Sequence, residues 1–220
     1  MKIYRLPARL KTVIFDIDST LYTNPEYAIE QVDVQIRHFA QLRGMTDEAA
    51  RSMISAYREK WSLEHEGRKI SMGNTMKAFG ISIEESIKWR ETLLDPAKYL
   101  QRDDHLASVL NKLNETYALI CVTNNPVLPA EKTLKVLGVE SYMTGIIGLD
   151  TYKLSKPAKE PLLLAAQQTG AAPQECLSVG DRYDIDLATA LDMGMGGILV
   201  TGVEDVYTLP EILEKKGEKG

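Results

Sequence analysis

Histidine and cysteine are scarce in this chain, with three and two among 220 residues. His38, His65 and His105 lie in helical or polar surroundings with no partner at ligand spacing. Cys121 and Cys176 stand singly in the apolar runs "ALICVT" and "ECLSVG". There is thus no Cys/His cluster for zinc and no disulfide framework; both thiols are expected to be reduced and buried. Long hydrophobic runs are missing too. No run reaches membrane-spanning length, and the opening "MKIYRLPARLK" has no apolar stretch of the kind a signal peptide carries. The expectation is a cytoplasmic protein. Positive charge is in deficit, at a formal net charge of -5. That argues against nucleic acid or an anionic membrane as partner. It leaves open a small phosphorylated metabolite, because a local cation can override the global sign. Internal repeats and low-complexity tracts are absent as well.

What the chain does contain is short apolar runs that end in polar groups. The first, "KTVIFD" (11–16), has the pattern of a strand buried on both faces of a parallel sheet. Similar runs recur at 117–123, 144–150, 176–181 and 196–201, separated by segments with apolar residues at helical spacing. Alternating strands and helices imply an α/β fold, a doubly wound (Rossmannoid) parallel sheet with right-handed crossovers. The interval after the first run breaks the alternation. Its segments "PEYAIEQVDVQIRHFAQLRG", "TDEAARSMISAYREKW", "GNTMKAFG" and "SIEESIKWRETLL" read as helices, with Thr46 and Ser82 as N-caps. The expected organisation is a core of residues 1–22 and 96–220 with an all-helical insertion, residues 23–95, placed after the first strand.

In an open parallel sheet, ligands bind at the carboxyl ends of the strands. The first run delivers Asp16 and Asp18 there, the second Thr123 and Asn124, and the fourth Asp181, with Asp184 and Asp186 just beyond. Lys156 precedes Pro157 at the start of the helix after the third run. A lysine at a helix start opposes the dipole, which favours a functional reading. Several carboxylates at one place cannot all ionise without a compensating cation. Oxygen ligands suit a hard ion such as Mg²⁺. A hydroxyl, an amide and an ammonium beside them suit an anion with several oxygens. Metal, cation and carboxylate nucleophile together describe phosphoryl transfer.

Four motifs in order, each at a strand end, resemble the haloacid dehalogenase (HAD) superfamily. They are "DIDST", "CVTN", "SKPAKEPLLLAA" and "VGDRYDIDLATA", and the likeness spans residues 8–22 and 97–202. The helical insertion resembles the C1 type of cap, and "FDIDSTLY" is similar to the pyrimidine 5′-nucleotidase and phosphoglycolate phosphatase-like group. The resemblance implies that Asp16 is a nucleophile forming an aspartyl-phosphate. Asp18 is implied as general acid and then base. Thr123, the Asn124 backbone and Lys156 would bind phosphoryl oxygens. Asp16, Asp181 and the backbone carbonyl of Asp18 would bind Mg²⁺, with Asp186 behind them and Asp184 an alternative for that place. One departure is Ser19, where the family more often shows Gly or Asn.

Asp18 distinguishes phosphate chemistry from hydrolytic dehalogenation, whose enzymes lack a second acid at that place. The implied activity is a phosphatase for a nucleoside monophosphate, phosphoglycolate or a sugar phosphate, acting as a monomer or homodimer. A β-phosphoglucomutase-like phosphotransferase shares every residue named, and a non-catalytic protein on the same fold is the reading from another class. The group "YREKWSLEHEGRK" offers Arg58, Trp61 and Arg68 as cap residues that contact substrate.

Overall fold

The structure is a computed structural model that describes residues 1–67 and 70–217; the Arg68 expectation lies outside the described residues. Six strands among the described residues form one sheet: β1 (Lys2–Arg5), β2 (Thr12–Phe15), β3 (Ala118–Val122), β4 (Gly145–Ile147), β5 (Cys176–Gly180) and β6 (Gly196–Leu199). Their order is β1-β6-β5-β2-β3-β4. All neighbours pair in parallel except β1, which runs antiparallel to β6. The chain moves outward from β2 through β3 to β4, then crosses to the other side of β2 with β5. The order therefore switches at β2, and the crevice of a doubly wound sheet opens there.

The central strand is "TVIF", buried at every position. Its alternate side chains feed both faces of the sheet. Ile14, with Ile120, Val122 and Cys176, packs against Leu162, Ala165 and Ala166 of one helix and Ala190 of another. Cys121 and Cys176 are free and buried, and burial pushes the Cys176 thiol up to about 11.

Three expectations need correction. The sheet has a strand before "KTVIFD", so the helical insertion follows β2, the second strand, and the sheet is not wholly parallel. The segment "KIYR" carries no apolar run because β1 is an edge strand, exposed along its length. Second, the run 144–150 is a strand only over Gly145–Ile147. At Gly148 a Cβ would stand 2.7 Å from the Val127 nitrogen and 2.8 Å from the Asn125 oxygen. The chain turns there, and Leu149 donates to the Asn125 carbonyl at 2.9 Å. Third, the segment of helical spacing after the run 176–181 is not one continuous α-helix. Tyr183–Leu187 forms a π-helical turn, and α-helix resumes at Ala188–Asp192.

The chain divides into two compact units, Met1–Pro25 with Asp95–Gly220, and Glu26–Leu94. The second unit is helical, built from α1 (Pro25–Arg43), α2 (Asp47–Glu64), α3 (Met72–Ala78) and α4 (Ile83–Leu93). Its own core holds Ile36, Phe39, Ala50, Ile54, Met76 and Trp89. Thr46, Ser71 and Ser82 cap α2, α3 and α4 by accepting backbone N–H bonds. The sheet unit adds α5 (Asp104–Asn114), α6 (Val127–Leu137), α7 (Leu149–Tyr152), α8 (Lys159–Gln168), α9 (Ala188–Asp192), α10 (Val203–Tyr207) and α11 (Leu209–Gly217). No described helix is long and apolar enough to cross a membrane.

Candidate active site

Asp16 follows the last residue of β2, and its N–H donates to the Val179 carbonyl of β5 at 2.9 Å. That bond continues the parallel register, in which Phe15 stands opposite Val179. Asp181 is the first residue after β5, and Thr123 the first after β3. Three strand ends therefore place three polar side chains side by side at the switch point.

Lys156 reaches this point from the segment before α8. Its ammonium lies 2.7 Å from Asp16 Oδ1 and 2.6 Å from Asp186 Oδ1, and all three side chains are at most 3% exposed. Carboxylate oxygens of Asp16, Asp181 and Asp186 all come within 4.8 Å of one another. Asp186 is carried there by the π-helical turn: Oδ2 accepts the Arg182 N–H at 3.0 Å, and its carbonyl accepts the Ser178 hydroxyl at 2.8 Å. A Cβ on Gly180 would stand 2.5 Å from Asp186 Cβ, so only glycine admits this carboxylate. Asp184 is exposed, so the alternative weighed for this place falls to Asp186. Lys153, the neighbouring lysine, is exposed as well.

The electrostatics are those of a site short of positive charge. Burial raises the Asp16 carboxyl to about 7; Lys156 opposes the shift, while Asp186 and Asp18 add to it. Burial likewise raises Asp181, with Arg182 opposing. Burial works against the Lys156 ammonium, but Asp16 and Asp186 outweigh it and its pKa rises. Asp16 Oδ2 and Asp181 Oδ1 are buried with no hydrogen-bond partner among the described residues. Three converging carboxylates, with the Lys156 ammonium and the Arg182 guanidinium beside them and two buried oxygens lacking a hydrogen bond among the described residues, fit a hard divalent cation.

Asn124 fastens the lysine segment: its Oδ1 accepts the Lys156 N–H at 2.6 Å, and its Nδ2 donates to the Lys156 carbonyl at 3.2 Å. Thr123 is buried, and its hydroxyl accepts the Asn125 N–H at 3.1 Å. Asp18 is half-buried. Its two oxygens accept from the Tyr22 hydroxyl at 2.6 Å and from Asn125 Nδ2 at 2.7 Å. Tyr22, Asn125 and Arg182 were not anticipated from the sequence. Tyr22 was legible in principle, being four residues from Asp18 in a segment that closes a helical turn on the Ile17 carbonyl. Asn125 stands 107 residues from Asp18, and only the convergence of strand ends connects them. Ser19 adopts φ +57, a left-handed conformation in which Gly and Asn are at ease.

His38 packs edge-on against Trp89, His65 stacks on Trp61, and His105 stacks on Tyr207. Arg58 donates to the Ile70 carbonyl.

A doubly wound sheet that sets acids, a lysine and a threonine at its switch point defines a class of Rossmannoid hydrolases. Comparison with known proteins sharpens that. Residues 10–194 match the model of the haloacid dehalogenase-like hydrolase family, and the chain belongs to that family. It is 26% identical over 207 residues to the 5-amino-6-(5-phospho-D-ribitylamino)uracil phosphatase YigB of Escherichia coli (strain K12), covering 89% of this chain and 85% of that protein. It is 25% identical over 178 residues to the pyrophosphatase PpaX of Listeria monocytogenes serotype 4a (strain HCC23), covering 81% and 77%. Among solved structures, the HAD phosphatase from Thermococcus onnurineus superposes with a TM-score of 0.63 at 22% identity, over 93% of this chain and 98% of that one.

Proposed function

We propose that the chain is a Mg²⁺-dependent phosphohydrolase that cleaves a small phosphomonoester through an aspartyl-phosphate on Asp16. The observation that carries this reading is the cluster of Asp16, Lys156, Asp181 and Asp186, in which Asp16 Oδ2 and Asp181 Oδ1 lack a hydrogen-bond partner among the described residues. The names of the relatives, a 5-amino-6-(5-phospho-D-ribitylamino)uracil phosphatase and a pyrophosphatase, support phosphate as the group transferred.

Asp16 attacks phosphorus, and the bond from phosphorus to the ester oxygen breaks. The leaving oxygen takes the proton of Asp18. Water then attacks the aspartyl-phosphate and gives its proton to Asp18. Asp16 leaves as a carboxylate, and inorganic phosphate is released. The sum is phosphomonoester plus water to alcohol plus phosphate. Proton transfer of this kind contributes about 10²–10⁴-fold. Lys156 stabilises charge on the transferring group and on Asp16, and the Thr123 hydroxyl and Asn124 backbone N–H bind its oxygens. Asp16, Asp181 and the Asp18 carbonyl would hold Mg²⁺, with Asp186 anchoring Lys156 behind them. When bound, the ion supplies Lewis-acid polarisation of the phosphoryl group. The helical unit is taken as the cap that selects among nucleoside monophosphates, phosphoglycolate and sugar phosphates.

The test is release of inorganic phosphate from p-nitrophenyl phosphate and from those metabolites, with Mg²⁺ and with EDTA. The expected result is turnover that needs the metal and is abolished in a folded Asp16→Asn variant. No turnover in any divalent metal by a folded wild-type protein sinks the reading.

A further inference from the structure

We infer that Tyr22 and Asn125 are positioning residues that clamp the Asp18 carboxylate for proton transfer. The inference rests on the phosphohydrolase reading and deepens it. A carboxylate on a turn after a strand end has two soft torsions, and a general acid must meet one lone pair of the leaving oxygen. Fixing those torsions takes two contacts from different directions. The structure supplies both. Tyr22 O–H bonds Oδ1 at 2.6 Å and Asn125 Nδ2 bonds Oδ2 at 2.7 Å, both short for hydrogen bonds of their kind.

The two clamps are themselves rigid. Tyr22 is 3% exposed, and its backbone follows the helical turn closed by Thr20 and Leu21 on Ile17. Asn125 is held at both ends of its backbone. Its N–H donates to the Thr123 hydroxyl at 3.1 Å, and its carbonyl accepts from Leu149 at 2.9 Å. Gly148 leaves the room that this close approach needs. Because a carboxylate only accepts, the Asn125 amide is oriented with its nitrogen toward Asp18. The clamp thus gives Thr123 a structural task beyond any contact with phosphate. It also links Asp18 to the ends of two further strands.

The experiment is a leaving-group series read as kcat/KM, which reports the first phosphoryl transfer and not the later hydrolysis. An alkyl phosphate needs a proton on its leaving oxygen, and 2,4-dinitrophenyl phosphate does not. Tyr22→Phe removes one oxygen from a buried ring, and Asn125→Ser acts at a half-buried position, so the two variants carry different folding risks. Each is expected to lower kcat/KM for the alkyl phosphate by about 100-fold, the cost of misplacing a catalytic group, and to leave the dinitrophenyl ester within about threefold. Asp18→Asn serves as reference and should show the same selectivity with a larger loss. If Asp18→Asn is selective while the other two variants lose equally on both substrates, or lose nothing, the clamp is overturned and the phosphohydrolase reading stands. If Asp18→Asn itself shows no selectivity, the general-acid assignment falls and the clamp falls with it.

Discussion

The Lys156 ammonium lies 2.7 Å from Asp16 and 2.6 Å from Asp186, with all three groups out of water. Removing one partner of a buried ion pair strands the other charge, at a cost of about 3–5 kcal/mol. Lys156→Met is expected to destabilise the protein by that order in chelator, and added Mg²⁺ should recover part of the loss. Urea unfolding with and without Mg²⁺ measures both, and equal losses in the two conditions would contradict the charge account. Ser19 offers a second test at this scale. Its φ of +57 puts a residue with a Cβ where the left-handed conformation costs about 1–2 kcal/mol. Ser19→Asn should raise the unfolding temperature and Ser19→Val lower it, because a β-branched side chain tolerates that conformation worst. A lower unfolding temperature for Ser19→Asn than for wild type would count against this. At this scale Asp16, Asp18, Thr123 and Asp181 were legible as polar residues at the ends of apolar runs, and Lys156 as a lysine at a helix start. The Asn125 contact with Asp18 was not, because no local pattern encodes a bond across 107 residues.

Among the elements, the buried parallel strands were readable because a strand covered on both faces must be apolar without interruption. β1 escaped because an edge strand lying in solvent needs no such run. The π-helical turn at Tyr183–Leu187 escaped because its periodicity over five residues cannot be told from that of an α-helix. Its purpose is visible in what it packs on: the turn brings Asp186 over Gly180, where a Cβ would stand 2.5 Å from Asp186 Cβ and 2.6 Å from its Cγ. Gly180→Ala should therefore push Asp186 away from Lys156. Overpacking of this kind costs about 1–3 kcal/mol. The expected result is that loss of stability together with weaker Mg²⁺ binding by calorimetry. Unchanged affinity would show that Asp186 has no bearing on the site's charge balance.

For the whole molecule, the two units with separate cores, Met1–Pro25 with Asp95–Gly220 and Glu26–Leu94, follow from one break in the sequence. Strand-like runs stop after residue 16 and resume at 117. Stability against acid is a property of the whole fold, and Glu175 contributes to it. Its carboxylate bonds the Lys11 ammonium at 2.8 Å and the Ala172 N–H at 3.1 Å. The Lys11 bond is the largest of the causes that hold its pKa below the ordinary carboxylate value, followed by Ala172. A depressed folded-state pKa means that the contribution is complete above the ordinary carboxylate range and fades as pH falls through the folded value. Glu175→Gln should lower the unfolding temperature near neutrality, and the gap to wild type should close in acid. A gap that widens in acid would reverse the sign of this argument. The global charge of -5 gives no hint of the candidate site, because Lys156 there is buried and already committed to two acids.

In the proposed reaction Asp16 takes up the phosphoryl group. Rapid mixing of the protein with Mg²⁺ and a turned-over phosphomonoester, an acid quench within one turnover, and peptide mass analysis test it directly. The expected result is one added phosphoryl group on the peptide carrying Asp16, labile to hydroxylamine and absent in Asp16→Asn. Full turnover with no phosphoryl group on that peptide at any quench time, or with the group on another residue, would contradict it.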